Sequence, residues 1–209
     1  PDSGAKEWLA ALAAALPHPL KVVEYRDVPQ AMEELSEVLK RRREGEDPEA
    51  NCRHYLFVMG LQRFRMLRED DDFSFSSSES TTRSPSQRMT ELLSEGPAEG
   101  MHAIVWCDTL GNLTRSFNRK TLREFEMRVL YQMSAADSAE LIESPAANRL
   151  GLYNALLFTV QDGATEKFRP YSAPDKELVQ ELGRLLRARQ PNGNGAAVSA
   201  GRRASPDAE

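Results

Sequence analysis

The stretch "HYLFVMGLQRFR", residues 54–65, joins a short apolar run to a glycine and a polar, arginine-bearing continuation. Residues 55–59 are apolar at every position, which is typical of a strand buried on both faces within a parallel sheet. Gly60 ends the run, and Gln62 and Arg63 follow at once. Because ligands of open parallel sheets bind outside the carboxyl ends of the strands, this stretch predicts a functional edge at Gln62.

Apolar runs of this kind alternate with helical patterns along most of the chain. The predicted helices cover residues 4–16, 27–46, 86–96, 134–142 and 174–190, and the predicted strands cover 20–25, 55–59, 102–108, 128–133, 154–160 and 165–171. The alternation predicts an α/β fold with a mostly parallel sheet that helices cover on both faces. The Asp-Gly turn in "QDGA", residues 161–164, predicts a terminal antiparallel hairpin.

The predicted organisation is one three-layer domain over residues 1–190. The acidic and serine-rich residues 70–86 predict a disordered loop, and the Gly-, Ala-, Ser- and Pro-containing residues 191–209 predict a disordered tail. A leucine stripe on the last helix is expected to pack on the sheet, with a subunit contact as the alternative; its members are Leu178, Leu182, Leu185 and Leu186. Because the sequence starts at Pro1 and not at Met, we expect a processed product or a fragment of a longer polypeptide.

Composition excludes some classes of function. The 27 basic and 32 acidic residues give a net charge of −5, which does not suit a protein that binds nucleic acid over its whole surface but leaves room for a local basic patch. No membrane-spanning or signal-peptide pattern is present, and two distant cysteines suit a reducing compartment, so a cytoplasmic location is expected, although the parent protein could be membrane-anchored. Three histidines without shared spacing predict no metal site.

One stretch concentrates positive charge: Arg115, Arg119, Lys120, Arg123 and Arg128. Interleaved Glu124 and Glu126 favour a solvated helix face. Guanidinium groups also match phosphate oxygens, so an anion site remains the alternative. No G-x-x-x-x-G-K-[ST] phosphate loop occurs anywhere in the 209 residues.

From residue 54 to residue 171 the order of features resembles the carboxyl-terminal half of the FtsK/SpoIIIE family of RecA-like motor ATPases. The residues that carry the resemblance are Gly100 and His102, Asp108, Arg128 and Val129, Asp137 and Ser138, Pro145, Ala146, Leu150 and Gly151, and Ala155 and Leu156. The resemblance implies a three-layer RecA-like, P-loop NTPase-type fold, incomplete here because the chain starts after the phosphate loop. It also implies a ring-shaped homo-oligomer, formed through the parent protein, that uses ATP and magnesium.

The family's acidic pair is missing at the matching strand. Where the family has Asp-Glu to hold magnesium and polarise water, this chain has Met59 and Gly60. The remaining site residues implied by the resemblance are Gln62, which could orient a water, and Asp108 and Thr109, which would face the nucleotide. Whether this segment hydrolyses ATP is therefore left open.

The resemblance gives Arg128 a possible role as a trans-acting arginine at a neighbour's nucleotide. The alternative is a strand-entrance arginine paired with Glu124 or Glu126. Asp137 and Ser138 are expected to cap the following helix.

Two functions follow from the resemblance. The first is the carboxyl-terminal part of an ATPase that moves DNA, with a degenerate acid site in this segment. The second is a catalytically silent RecA-like module for assembly or regulation, which could belong to a machine that moves protein. A third possibility, an unrelated α/β domain, would make the likeness a coincidence.

Overall fold

The computed structural model describes residues 3–69 and 83–189. The described residues divide into two compact units: a terminal unit, residues 3–22 with 172–189, and a central unit within residues 23–171. The predicted tail, 191–209, and most of the predicted loop, 70–86, lie outside the described residues. Within the described ranges, no helix has the length and apolar character needed to span a bilayer.

The terminal unit pairs helix α1, Ser3–Ala15, with helix α7, Lys176–Arg189. The helices come close at Gly183, where a Cβ atom would lie 2.1 Å from the carbonyl oxygen of Ala15. Arg187 donates a hydrogen bond of 2.6 Å to the same oxygen and so satisfies a free carbonyl near the end of α1. The buried residues of α7 are Val179 and Gly183, so the closest approach of the two helices is at a glycine. Of the predicted leucine stripe, Leu178, Leu182 and Leu185 are exposed and Leu186 is half-buried.

The central unit is a mixed α/β structure. Its helices are α2, Val28–Arg43; α3, Pro85–Glu95; α4, Leu110–Leu113; α5, Arg119–Arg123; and α6, Ala135–Ile142. Its strands are β1, His54–Met59; β2, Met101–Trp106; β3, Met127–Leu130; β4, Ala155–Thr159; and β5, Ala164–Phe168. They form two separate sheets.

The first sheet is the parallel pair β1–β2, in register from His54 opposite Met101 to Met59 opposite Trp106. The second is antiparallel, in the order β3–β4–β5. The predicted terminal hairpin is confirmed as β4–β5. The prediction of one mostly parallel sheet is wrong, because β3 runs antiparallel to β4 in a sheet of its own. The run at residues 20–25 forms no strand: residues 20–24 have no regular secondary structure, and Tyr25 begins a 3-10 turn, Tyr25–Asp27.

Helices α2 and α3 cover one face of the parallel pair. A buried cluster joins Met32 of α2 and Met89 of α3 to Val58 of β1 and Leu61 just after it. The other face is not covered as the apolar run predicted: Tyr55 and its alternate neighbours on β1 are exposed. Exposed side chains in β1 therefore alternate with half-buried or buried ones.

A buried arginine fixes the end of α2 against the sheet. Arg42 donates 2.7 Å hydrogen bonds to Asp47, to the carbonyl of Glu99 and to the carbonyl of Cys52, and a 3.0 Å bond to the carbonyl of Glu49. Glu99 lies close before β2 and Cys52 close before β1, so one guanidinium orders both strand entrances.

Helix α3 begins with a capping box. Ser84 accepts a hydrogen bond from the backbone of Gln87, whose side chain accepts from the backbone of Ser84, and Pro85 occupies the first helical position. The predicted loop over 70–86 therefore extends too far: residues 85 and 86 are helical.

The block that carries much of the resemblance contains a second structural device. Ser134, and not Asp137 or Ser138, caps α6, since its hydroxyl accepts from the backbone of Asp137. Ser138 is fully buried inside the helix; its hydroxyl donates to the carbonyl of Ser144 at 2.6 Å and accepts from the backbone of Ala147 at 3.1 Å. Ser138 thus fastens α6 to the 3-10 turn Pro145–Arg149.

Candidate functional site

The carboxyl ends of β1 and β2 meet at one edge because the strands are parallel. We call this edge the carboxyl rim: residues 60–63 after β1 and residues 107–112 after β2. The two sides are joined by a 3.1 Å hydrogen bond from the backbone of Gly60 to the carbonyl of Trp106. The rim therefore gathers three of the four predicted site residues, Gln62, Asp108 and Thr109.

Gly60 occupies the first position of the rim in a conformation that other residues adopt at a cost. Its φ of 86° lies in the left-handed region. A Cβ atom there would lie 3.3 Å from the Trp106 ring and 3.5 Å from Arg63. The chain turns here into the 3-10 turn Leu61–Arg63, and Leu61 is fully buried beneath it. Backbone geometry and crowding therefore both favour glycine at this position.

Gln62 carries a buried amide oxygen. Its Oε1 atom has no hydrogen-bond partner among the described residues. Such an atom is costly unless something donates to it, so a water or a ligand donor would be stabilised at this point. This geometry is compatible with the water-orienting role implied by the resemblance.

Asp108 and Thr109 are held by the start of α4. The Oδ1 atom of Asp108 accepts from the side-chain amide of Asn112 at 2.8 Å and from the Thr109 hydroxyl at 3.3 Å. The Asn112 hydrogen bond, followed by that of Thr109, lowers the pKa of Asp108 below its ordinary value, although desolvation opposes the shift. Thr109 also accepts from the backbone of Asn112 as the N-cap of α4. Both residues therefore have a local structural role.

Sequence reasoning did not include Asn112 in the site. Its spacing was the available signal: an amide four residues after an acid and three after a threonine, at the start of a short helix, suits side-chain capping. Asn112 matters because it orients the carboxylate of Asp108.

Cys107 is the first residue of the rim after β2. Its thiol donates weakly to the carbonyl of Thr109 at 3.6 Å and to Asp108 at 3.8 Å. Burial raises the pKa of Cys107, although hydrogen bonds from backbone groups, Gln62 among them, oppose the change. The thiol therefore stays protonated at neutral pH, which disfavours a nucleophilic role.

Arg128 lies in the other sheet, at the start of β3. Its guanidinium donates to the carbonyl of Phe125 at 3.3 Å, to that of Leu122 at 2.9 Å and to that of Leu141. It also lies 6.0 Å from the centre of the Phe158 ring. Burial lowers the pKa of Arg128, but an arginine remains charged.

These contacts bear on both roles considered for Arg128. Its described hydrogen bonds join it to backbone carbonyls and not to Glu124 or Glu126, the acids expected for a strand-entrance arginine. A guanidinium with its donors occupied in this way has few left for a phosphate on another subunit. The contacts favour a structural role, and the trans-acting role stays a prediction.

A basic surface forms beside the rim from two segments that are distant in sequence. The backbone of Glu69 donates to the carbonyl of Arg115 at 3.1 Å, and the side chain of Asn118 donates to the Glu69 carboxylate. The basic surface consists of Arg63, Arg65, Arg68, Arg115, Arg119, Lys120 and Arg123, of which all but the half-buried Arg68 are exposed. The sequence placed these residues in two separate groups.

The donor set limits metal binding. In the described ranges, no three His, Cys, Asp or Glu side chains come together as a metal site. Asp108 is the one carboxylate of the rim, Gly60 has no side chain, and Met59, the residue before Gly60, offers a thioether. Oxygen-rich coordination is what magnesium requires.

Compared with protein-family models and with curated protein sequences, the chain gives no match in either case.

Proposed function

We propose that the chain is a RecA-like module of an FtsK/SpoIIIE-like assembly that does not itself supply the hydrolytic acids. The observation that carries the proposal is the end of β1. Met59 is the last residue of β1 and Gly60 is the first residue of the carboxyl rim, and the resemblance expects the magnesium-holding and water-polarising carboxylates at these two positions. A thioether binds magnesium poorly, and glycine offers no base.

Two features of the rim support a scaffold role. The left-handed backbone of Gly60 disfavours a glutamate at that position, so loss of the acid is built into the turn. Asp108, the one carboxylate nearby, is already bound by Asn112 and Thr109. The residues at the rim therefore do not fit a complete ATP–magnesium site, and this module would act by packing and by positioning neighbours.

ATP turnover by the full chain tests this proposal. We expect phosphate release with ATP and magnesium to stay at the background rate, and Gln62→Ala to leave that rate unchanged. Arg149→Ala, at an exposed arginine in a 3-10 turn, serves as the matched control. Magnesium-dependent hydrolysis that falls in Gln62→Ala but not in Arg149→Ala would overturn the silent role.

A second candidate, support of DNA movement, rests on the basic surface. Seven cationic side chains lie on adjoining segments, and none of them forms an ion pair with a described acid. Glu69, Asp108, Glu124 and Glu126 lie in the same segments, so the net excess of positive charge is modest. Such a surface could neutralise a few phosphates.

Salt dependence of DNA binding tests the second candidate. Phosphate contacts weaken binding steeply between roughly 50 and 200 mM salt. Arg119→Ala combined with Arg123→Ala should then reduce both the affinity and the salt slope, while Arg149→Ala should not. Affinity that does not respond to salt would remove DNA and leave protein cargo as the alternative.

A further inference from the structure

One face of the parallel pair presents large apolar side chains to solvent. We call it the open face: Tyr55, Phe57 and Met59 of β1 with Ile104 and Trp106 of β2. Their exposed fractions are 53, 56, 63, 50 and 48% respectively. They are in register across the two strands, with Phe57 opposite Ile104 and Met59 opposite Trp106. The open face is therefore one continuous patch.

The opposite face of the same two strands is covered. Leu56 and Val58 of β1 and Val105 of β2 pack into the cluster formed with Met32 and Met89. Parallel strands in folded proteins are normally buried on both faces. The strand pair is covered on one side and has three half-exposed aromatic residues on the other. The open face therefore has the composition of a protein interior.

The absence of charged side chains from the open face indicates what kind of surface would bind it. Along the open face the alternating positions are apolar or aromatic, and the sixth, His102, stacks on Tyr55 at a centroid distance of 5.4 Å. The face itself carries no Lys or Arg to neutralise phosphates and no Asp or Glu to repel a like surface. An electroneutral apolar protein surface fits it, and a copy of the same face meets that description.

The area is sufficient for self-association. The aromatic side chains have areas of roughly 150–250 Å² each and those of Ile104 and Met59 are about as large as the smaller aromatic ones, so five that are half exposed give on the order of 500 Å². Two copies would bury about 1,000 Å² from these residues alone, near the lower bound of specific interfaces. On this basis we infer that the open face binds a second copy of the chain in an isologous contact. This inference is independent of nucleotide chemistry.

Analytical ultracentrifugation of the full chain over a wide concentration range tests the inference. We expect a monomer–dimer equilibrium in the micromolar range. Phe57→Thr, which keeps a strand-forming residue but removes the ring, should raise the dissociation constant at least about tenfold. Leu152→Thr removes a leucine that is 83% exposed and lies outside the strands, and it should leave the equilibrium unchanged.

A second measurement avoids substitutions on the open face. The chain has two tryptophans, Trp8 and Trp106, so Trp8→Phe leaves Trp106 as the sole indole reporter. Its emission should shift to shorter wavelength as concentration rises, because dimer formation would bury the ring. A monomer at all concentrations, a dimer that Phe57→Thr leaves intact, or an emission maximum that does not move would each overturn the inference.

Discussion

Replacement of Arg42 tests how much the central unit depends on one buried guanidinium. The Arg42 side chain is 1% exposed and that of Asp47 is 6% exposed. Arg42→Ala would remove four hydrogen bonds, and the carbonyls of Glu49, Cys52 and Glu99 would lose a charged donor in a buried setting. We expect the free energy of unfolding to fall by about 3–5 kcal/mol, a large share of a domain's stability.

The next residue along α2 provides a matched control. Arg43 forms an ion pair with Glu95, but the two side chains are 52% and 41% exposed. Arg43→Ala should therefore cost about 0–1 kcal/mol. Arg42→Lys keeps the charge without the planar fork and should fall between the two alanine variants.

Urea unfolding followed by circular dichroism measures the difference between Arg42→Ala and Arg43→Ala. With a slope of about 2 kcal/mol per molar urea, the midpoint should fall by roughly 1.5–2.5 M in Arg42→Ala and by less than about 0.5 M in Arg43→Ala. Equal midpoints for the two alanine variants would refute the reasoning.

The same pair predicts a pH dependence. The Arg42 hydrogen bond holds the pKa of Asp47 below its ordinary value of 3.8. Because the folded-state pKa is the lower one, the stabilisation is present above the unfolded value and is lost as pH falls through the folded value. Stability of the wild type should therefore decline on acidification below about pH 4, and Arg42→Ala should decline less steeply.

Three further predictions concern other parts of the chain. Ser138→Ala removes both hydrogen bonds of a fully buried hydroxyl and should cost about 1–3 kcal/mol in urea unfolding; a loss near zero would contradict the fastening role. Cys107, whose pKa burial raises, should react with a thiol reagent at neutral pH at least about tenfold more slowly than exposed Cys52, which mass spectrometry of the labelled protein can resolve; equal rates would place the thiol in solvent. Gly183→Ala should speed hydrogen exchange in both α1 and α7 and cost about 1–3 kcal/mol locally, since its Cβ meets backbone, whereas Gly111→Ala, with open space around it, should not change exchange in these helices.

Elements that depend on neighbouring residues were predicted well. Strands β1 and β2 follow from short apolar runs, and the β4–β5 hairpin follows from its Asp-Gly turn. Their parallel and antiparallel directions also came out as predicted, because a connection that contains a helix permits parallel pairing and a tight turn requires antiparallel pairing.

Features set by distant contacts were not predictable in the same way. The strand β3 pairs with β4 across α6, and no local signal specifies that direction. Residues 55–59 have the composition of a strand covered on both faces, and composition does not tell whether the second cover lies in the same chain. Ser134 and Ser138 lie four residues apart around the start of α6. Their spacing does not show which of them caps the helix and which is buried against the following turn, because that depends on three-dimensional contacts.

In the candidate site, too, features set by neighbouring residues were predicted and features set by distant contacts were not. Gln62 was predicted to lie at the end of a strand, and the resemblance added Asp108 and Thr109 to the site; the parallel pair places all three at one edge. The role of Asn112 depends on side-chain geometry at Asp108. The two groups of basic residues form one surface because the backbone of Glu69 contacts that of Arg115. The contacts of Arg128 with carbonyls were equally hidden, since spacing alone pointed to acids.

The buried hydroxyl of Ser138 gives a structural reason for the Asp-Ser to Leu-Gly segment that does not involve ATP. The Asp-Ser to Leu-Gly segment could be mistaken for a catalytic motif. In this molecule, however, its serine joins a helix to the turn after it through two hydrogen bonds. Such a hydrogen-bonded serine contributes to packing and not to catalysis, so it can be present in a protein that hydrolyses ATP and in one that does not. In this molecule the Asp-Ser to Leu-Gly segment therefore shows how a helix is joined to the turn after it, and evidence on ATP use has to come from the oxygen atoms at the strand ends.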